Sequence, residues 1–111
     1  MTTHRRYTFT YAGAAEGTHD VFREVLAQQC ARNWWYNEPA VSGEEDGQLS
    51  FTLTVSGEDQ WRCHRRAMGL AMTCFEKAGI SRASIPNPIW EPLEPHTNRG
   101  RYRIPRVPAS D

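Results

Sequence analysis

The sequence predicts a single α+β domain, an antiparallel four-stranded sheet with two helices on one face, followed by a basic tail. Two observations predict the sheet and the helices: two segments alternate apolar and polar residues with the period of a strand, and two others carry apolar residues at helical spacing. The third observation is that the prolines fall where the edge strands of such a sheet would lie. We assign residues 1–93 to the domain and residues 94–111, rich in proline and arginine, to an extended tail.

The first strand and helix are indicated by these two periods. Strand β1 is predicted at about residues 5–12, where three aromatic residues alternate with threonines. Helix α1 is predicted at about residues 18–35, and Pro39 limits how far it can continue. Its apolar stripe consists of Phe22, Val25, Leu26, Cys30 and Trp34.

A hairpin follows. We predict a short strand β2 at about residues 39–42, a polar turn at residues 43–47 that is bounded by two glycines, and strand β3 at residues 49–55. In β3, four apolar residues alternate with serine and threonine, which is the clearest strand pattern in the chain.

The last two elements are a second helix and an edge strand. Ser56 and Asp59 form a start similar to a capping box, so helix α2 is predicted from there to Ala78. Its predicted apolar stripe is Trp61, His64, Ala67, Met68, Ala71, Met72 and Phe75. Strand β4 is predicted at residues 80–90, where Pro86 and Pro88 would confine it to an edge of the sheet.

The order β-α-β-β-α-β is that of the ferredoxin-like, split βαβ sandwich, whose strands lie in the spatial order 4-1-3-2. The prolines agree, because Pro39 falls in β2 and the other two in β4, both edge strands. The open face of this sheet would carry Thr8, Thr10, Ser50, Thr52 and Thr54. It lacks the aromatic platform of an RNA-recognition motif. We therefore expect the face to be solvated or packed against a second copy in a homodimer.

This topology brings the starts of β1 and α2 and the ends of α1 and β4 to one end of the domain, opposite the acidic turn at residues 44–46. We call it the aromatic/arginine end. Its candidate binding residues are Arg5, Arg6, Trp34, Trp35, Tyr36, Trp61, Arg62, Arg65 and Arg66, with His4 and Trp90 beside them; the tail adds Arg99, Arg101, Arg103 and Arg106. Three consecutive aromatic residues on a helix cannot all point inward, so at least one is expected to be exposed.

Two interpretations of this end stay open. Aromatic rings beside arginines are enriched in the hot spots of protein interfaces. Alternatively, the rings close the end of the sandwich and the arginine side chains cover them. Arg62, Arg65 and Arg66 lie in the first turns of α2, where the helix dipole disfavours cations, which suggests an anion site. For Arg62 we favour an ion pair with Glu58 or Asp59. Arg65 and Arg66 stay open between an anion site and a solvated charged face, which is the commoner explanation.

The motifs of most catalytic and metal-binding proteins are absent from the sequence. Cys63 and His64 are adjacent and diverge on a helix, so we predict no metal, and no phosphate-binding glycine motif indicates a cofactor. An enzyme would need polar groups gathered in a pocket, which the pattern does not assemble. No apolar run is long enough to span a membrane. Three cysteines without a CxxC motif indicate a reducing, cytoplasmic compartment.

The total charge gives no reason to expect a polyanionic partner. The formal net charge is zero, with −3 on residues 1–57 and +3 on residues 58–111. We predict a small non-catalytic module that binds another protein through the aromatic/arginine end. Lys77 is the only lysine, a bias typical of a GC-rich genome such as that of an actinobacterium or its phages. This origin would fit a phage or mobile-element accessory factor that modulates a host protein. The alternative is nucleic-acid binding through the same end and the arginine tail.

Overall fold

The computed structural model describes residues 2–93, and these form an α+β domain, which confirms the predicted class. The elements are β1 Thr3–Ala12, α1 Thr18–Arg32, β2 Tyr36–Ser42, β3 Gln48–Gly57, α2 Gln60–Lys77 and β4 Ile89–Leu93. The tail assigned to residues 94–111 lies outside the described residues. Within the described part, neither helix combines the length and apolarity needed to cross a bilayer.

The four strands form one antiparallel sheet in the order β2-β3-β1-β4. The two central strands pair along their whole length, from Thr3 opposite Gly57 to Ala12 opposite Gln48. The edge strands β2 and β4 each contain one proline, at positions 39 and 92. A residue without an N–H is tolerated there because one side of an edge strand needs no hydrogen-bond partner.

Both helices pack on one face of this sheet, against the apolar half of each central strand. Alternate residues of β1 and β3 point to that face. In β3 these are Leu49, Phe51, Leu53 and Val55, and each is at most 1% exposed. Phe51 stacks on Phe9 across the two strands, with ring centroids 4.8 Å apart. Phe22 of α1 and Phe75 of α2 meet edge to face at 5.0 Å above them. The core is therefore an aromatic cluster that joins the helices to the sheet.

Helix α1 ends three residues earlier than predicted. Asn33 has extended backbone angles, and its side-chain amide donates to the carbonyl oxygen of Gln29 at 3.3 Å. Trp34 and Trp35 then form a turn, and Tyr36 already belongs to β2. Apolar residues keep helical spacing as far as Trp34, but the backbone leaves the helix after Arg32 because Tyr36 pairs with β3.

Helix α2 is rotated relative to the predicted stripe. Its buried residues are Cys63, Ala67, Leu70, Ala71, Cys74 and Phe75. Successive helical residues differ by about 100°, so a buried Cys63 turns Trp61 outward, and that indole is 68% exposed. The N-cap is Asp59 alone, whose carboxylate accepts from the backbone N–H of Arg62 at 2.8 Å. Ser56, the expected start of the helix, is buried in β3.

Strand β4 begins at Ile89 instead of residue 80. A short 3₁₀ turn occupies Arg82–Ser84, where the Ser81 hydroxyl accepts from the backbone N–H of Ala83. Pro86 and Pro88 therefore precede the strand, and their placement within β4 was wrong. The local hydrogen bonding of serine was the signal that the prediction overlooked.

Candidate interaction surface at one end of the sheet

The strand register brings the candidate residues to one end of the domain. Thr3, the first residue of β1, pairs with Gly57, the last residue of β3, and Leu93 at the end of β4 pairs with the next residue of β1. Tyr36, the first residue of β2, pairs with Val55, two residues before the end of β3. Helix α2 starts just beyond that end, at Gln60. The segments at this end carry all four tryptophans, Trp34, Trp35, Trp61 and Trp90.

On one side of α2, Trp35 and Tyr36 connect the sheet to the helix through hydrogen bonds and a cation–π contact. The Arg66 guanidinium lies over the Trp35 ring, with its Cζ 4.0 Å from the centroid, and it donates to the carbonyl oxygen of Ser56 at 2.8 Å. The Trp35 carbonyl in turn accepts from the Ser56 N–H. Tyr36 is 7% exposed, and its hydroxyl donates to the Arg66 carbonyl oxygen. Trp35, Tyr36 and Arg66 thus join β2, β3 and α2, and Trp34 extends beyond them at 66% exposed.

The neighbouring arginines differ in their pairing. Arg62 forms an ion pair with Glu58, four residues earlier, with 3.6 Å between Nη2 and Oε1, one of the two pairings that the sequence suggested. Arg65 is exposed and has no hydrogen-bond or ion-pair partner within residues 2–93. Together with Trp35 and Arg66, these side chains line a shallow depression of about 410 Å³.

The other side of α2 carries a second aromatic group. We call it the Trp61 groove, an open space of about 220 Å³ lined by Arg5, Gln60, Trp61, His64 and Trp90. The Arg5 guanidinium stacks on the Trp90 ring, with Cζ 3.5 Å from the centroid, and donates to Gln60 Oε1 at 2.9 Å. The planar guanidinium is therefore held in place at the surface, and the indole of Trp61 stays exposed beside it.

Tyr7 lies against two of the residues that line this groove. Its ring contacts the His64 ring, with 6.2 Å between centroids, and the residue is 0% exposed. The hydroxyl is buried and forms no hydrogen bond of normal geometry with residues 2–93, but the Arg5 guanidinium lies close enough to act on it. Burial raises the pKa of Tyr7, and the nearby Arg5 guanidinium opposes that rise.

Arg6 faces away from the other candidate arginines. Successive strand residues point to opposite faces, so Arg5 faces the helices and Arg6 the open face of the sheet. There Arg6 donates to the hydroxyls of Thr54 and Thr52 at 3.0 and 2.9 Å, and it lies 3.7 Å from the Glu38 carboxylate. Arg6 therefore lies at the same end of the sheet but on the face away from α2, and its part in binding stays a prediction. The homodimer suggested for the open face stays a prediction.

Two of the three cysteine thiols, those of Cys63 and Cys74, are buried in the core. Burial raises the pKa of the Cys63 thiol and raises that of Cys74 to about 12, so both stay protonated near neutral pH. Among residues 2–93, no group of three or more metal-ligating side chains is arranged to hold an ion. The tail arginines, Arg99, Arg101, Arg103 and Arg106, lie outside the described residues.

Sequence reasoning missed the Trp61 groove as a separate site. Its members come from positions 5, 60–64 and 90, and only the register that sets Trp90 opposite Tyr7 unites them. The alternation of β1 could have placed Arg5 and Tyr7 on one face, but not beside Trp61. Comparison of the chain with protein-family models, curated proteins and solved structures found no match.

Proposed function

We propose that this protein is a small, non-catalytic module that binds another protein through its aromatic/arginine end. The observation that carries the proposal is the exposure of Trp34 and Trp61, at 66% and 68%, on the two sides of the first turns of α2. Tryptophan and arginine are among the residues most enriched in interface hot spots. Trp90, 43% exposed and stacked by Arg5, extends the same surface.

We also propose that the fold is of the ferredoxin-like type. The support is the β-α-β-β-α-β order and the strand order β2-β3-β1-β4, which reads 4-1-3-2 from the other edge, together with both helices on one face. In this arrangement the rigid central strands and the start of α2 hold the binding side chains. Rigid presentation reduces the entropy lost when a partner binds.

Nucleic-acid binding through the same end is the second candidate. Arginine beside exposed tryptophan can stack bases and contact phosphate. The charge of the domain argues against it, because residues 2–93 carry nine Lys and Arg against eleven Asp and Glu, a formal net charge of −2. A nucleic-acid site would therefore depend on the arginine tail to supply the positive field.

The test is capture of partners from a nuclease-treated lysate of the source organism by the immobilised full chain. The matched variant carries Trp34→Ala, Trp61→Ala and Arg65→Ala, which remove exposed side chains and leave the core intact. We expect the wild-type chain to capture a protein. Recovery of that protein should fall at least about tenfold with the triple variant, because truncation of hot-spot residues weakens binding by about that much or more.

A control variant with Arg82→Ala and Glu45→Ala changes exposed residues distant from α2's start and should capture the same protein as the wild type. Thermal unfolding by circular dichroism establishes that all three proteins fold. Equal recovery by the wild type and the triple variant would refute the proposed surface. Material that is lost on nuclease treatment would favour the nucleic-acid alternative.

A further inference from the structure

The Trp61 groove contains a positive charge that the described residues do not neutralise. The Arg5 guanidinium bonds to the neutral amide of Gln60 and stacks on Trp90, and no carboxylate within residues 2–93 pairs with it. The nearest acidic residues along α2 are already engaged: Glu58 pairs with Arg62, and Asp59 caps the helix. A guanidinium fixed in this way presents its remaining N–H groups in the fork that fits a carboxylate.

The groove also has an apolar part. Trp61 offers most of its indole to solvent, and Trp90 also lines the groove. A flat apolar surface beside an unneutralised guanidinium suits a ligand that carries both an apolar group and an anionic group.

We infer that the Trp61 groove binds an acidic peptide segment of the partner protein. This inference rests on the proposed function and specifies what the groove recognises. A carboxylate side chain of the segment accepts hydrogen bonds from the N–H groups of Arg5 that do not bond to Gln60. A neighbouring apolar or aromatic side chain packs on Trp61. The volume of about 220 Å³ is below the roughly 300–1,000 Å³ typical of small-molecule pockets, and it suits one or two anchoring side chains.

Charge selects the peptide over a polynucleotide. The net charge of −2 on residues 2–93 offers a polynucleotide no long-range attraction, whereas a short segment needs to bring only one or two carboxylates to Arg5. The negative charge also disfavours long acidic stretches. The expected ligand therefore alternates acidic and apolar residues over a few positions.

The experiment is a selection of random dodecapeptides displayed on phage against the immobilised full chain, followed by fluorescence polarisation with the enriched peptides. We expect enriched sequences in which Asp or Glu lies within two positions of an aromatic or aliphatic residue. Replacing that acidic residue by its amide should weaken binding about tenfold or more, as expected for loss of a charge-assisted hydrogen bond. This substitution lies in the peptide, so it does not depend on the folding of a protein variant.

Protein variants then locate the site. Arg5→Gln and Trp61→Ala should each weaken binding about tenfold, Arg5→Lys should restore only part of the loss, and Arg82→Gln, which removes the same charge elsewhere, should leave it unchanged. Trp34→Ala should weaken binding less than Trp61→Ala does, because Trp34 lies on the other side of α2.

The other outcomes separate the two proposals. Enriched peptides without acidic residues, no enrichment, or insensitivity to Arg5→Gln and to the amide replacement would each overturn the acidic-peptide inference. If binding is lost with Trp34→Ala and kept with Trp61→Ala, the inference fails and the proposed function survives. If none of the substitutions at this end affects binding, both fail. Displacement of the peptide by an oligonucleotide at low concentration would assign the groove to nucleic acid and overturn the inference.

Discussion

The adjacent residues Trp34 and Trp35 offer a direct test of which part of the aromatic/arginine end is structural. Trp35 packs against the core and under Arg66, whereas Trp34 is 66% exposed. A buried tryptophan removes roughly 150–250 Å² from water, at about 25 cal/mol per Å². After allowance for the unfolded chain and for the alanine, we expect a loss of about 3 kcal/mol for Trp35→Ala and about 1 kcal/mol for Trp34→Ala.

Equilibrium unfolding in urea measures this difference. Far-UV circular dichroism is the appropriate probe, because both substitutions alter the fluorescence. With an m-value of about 1.5 kcal/mol/M, the midpoint should fall by about 2 M for Trp35→Ala and by less than about 1 M for Trp34→Ala. Equal midpoint shifts for the two variants would refute the assignment of Trp35 to the packed structure.

A conservative variant separates volume from hydrogen bonding. The Nε1 of Trp35 is buried without a partner among the described residues, so its removal relieves a desolvation cost. Trp35→Phe keeps most of the ring and should cost less than half of what Trp35→Ala costs. A larger cost would show that this N–H makes a stabilising contact.

Three further predictions address the cap, a histidine and the thiols. Asp59→Ala should lower the unfolding free energy by about 1 kcal/mol through loss of the N-cap of α2, and Asp59→Asn should recover most of it. Burial lowers the pKa of His4 below its ordinary 6.5, so the unfolded chain binds more protons and stability should fall as the pH drops below that value. Urea unfolding at about pH 5 and 7.5 should show a smaller difference for His4→Gln than for the wild type, and equal differences would contradict this. Native protein treated with a thiol reagent should label Cys63 and Cys74 more slowly than half-buried Cys30, as read by peptide mass spectrometry; comparable rates would contradict the burial argument.

Much of the fold followed from patterns between residues close in sequence. The alternation in β1 and β3 identified the central strands and the side chains that face the helices, and Phe22, Leu26 and Phe75 were recognised as core residues from helical spacing. The ends of the helices and strands were less predictable. Apolar residues continue at helical spacing past Arg32, although α1 ends there and β2 begins at Tyr36.

The candidate site depended more on tertiary structure. The sequence indicated that the tryptophans and arginines gather at one end, but the helical phase of α2 decided that Trp61 is exposed and Cys63 is buried. Strand alternation separates Arg5 from Arg6, a consequence that only becomes visible once the faces of β1 are assigned.

The sequence by itself determined the element types and the apolar faces, since periodicity is a property of residues within one or two turns or a few strand positions of each other. Only the tertiary structure decided which side chains meet across long separations. Arg5 meets Trp90 and Gln60 because strand register and helix rotation, which depend on the packing of the whole core, set their positions.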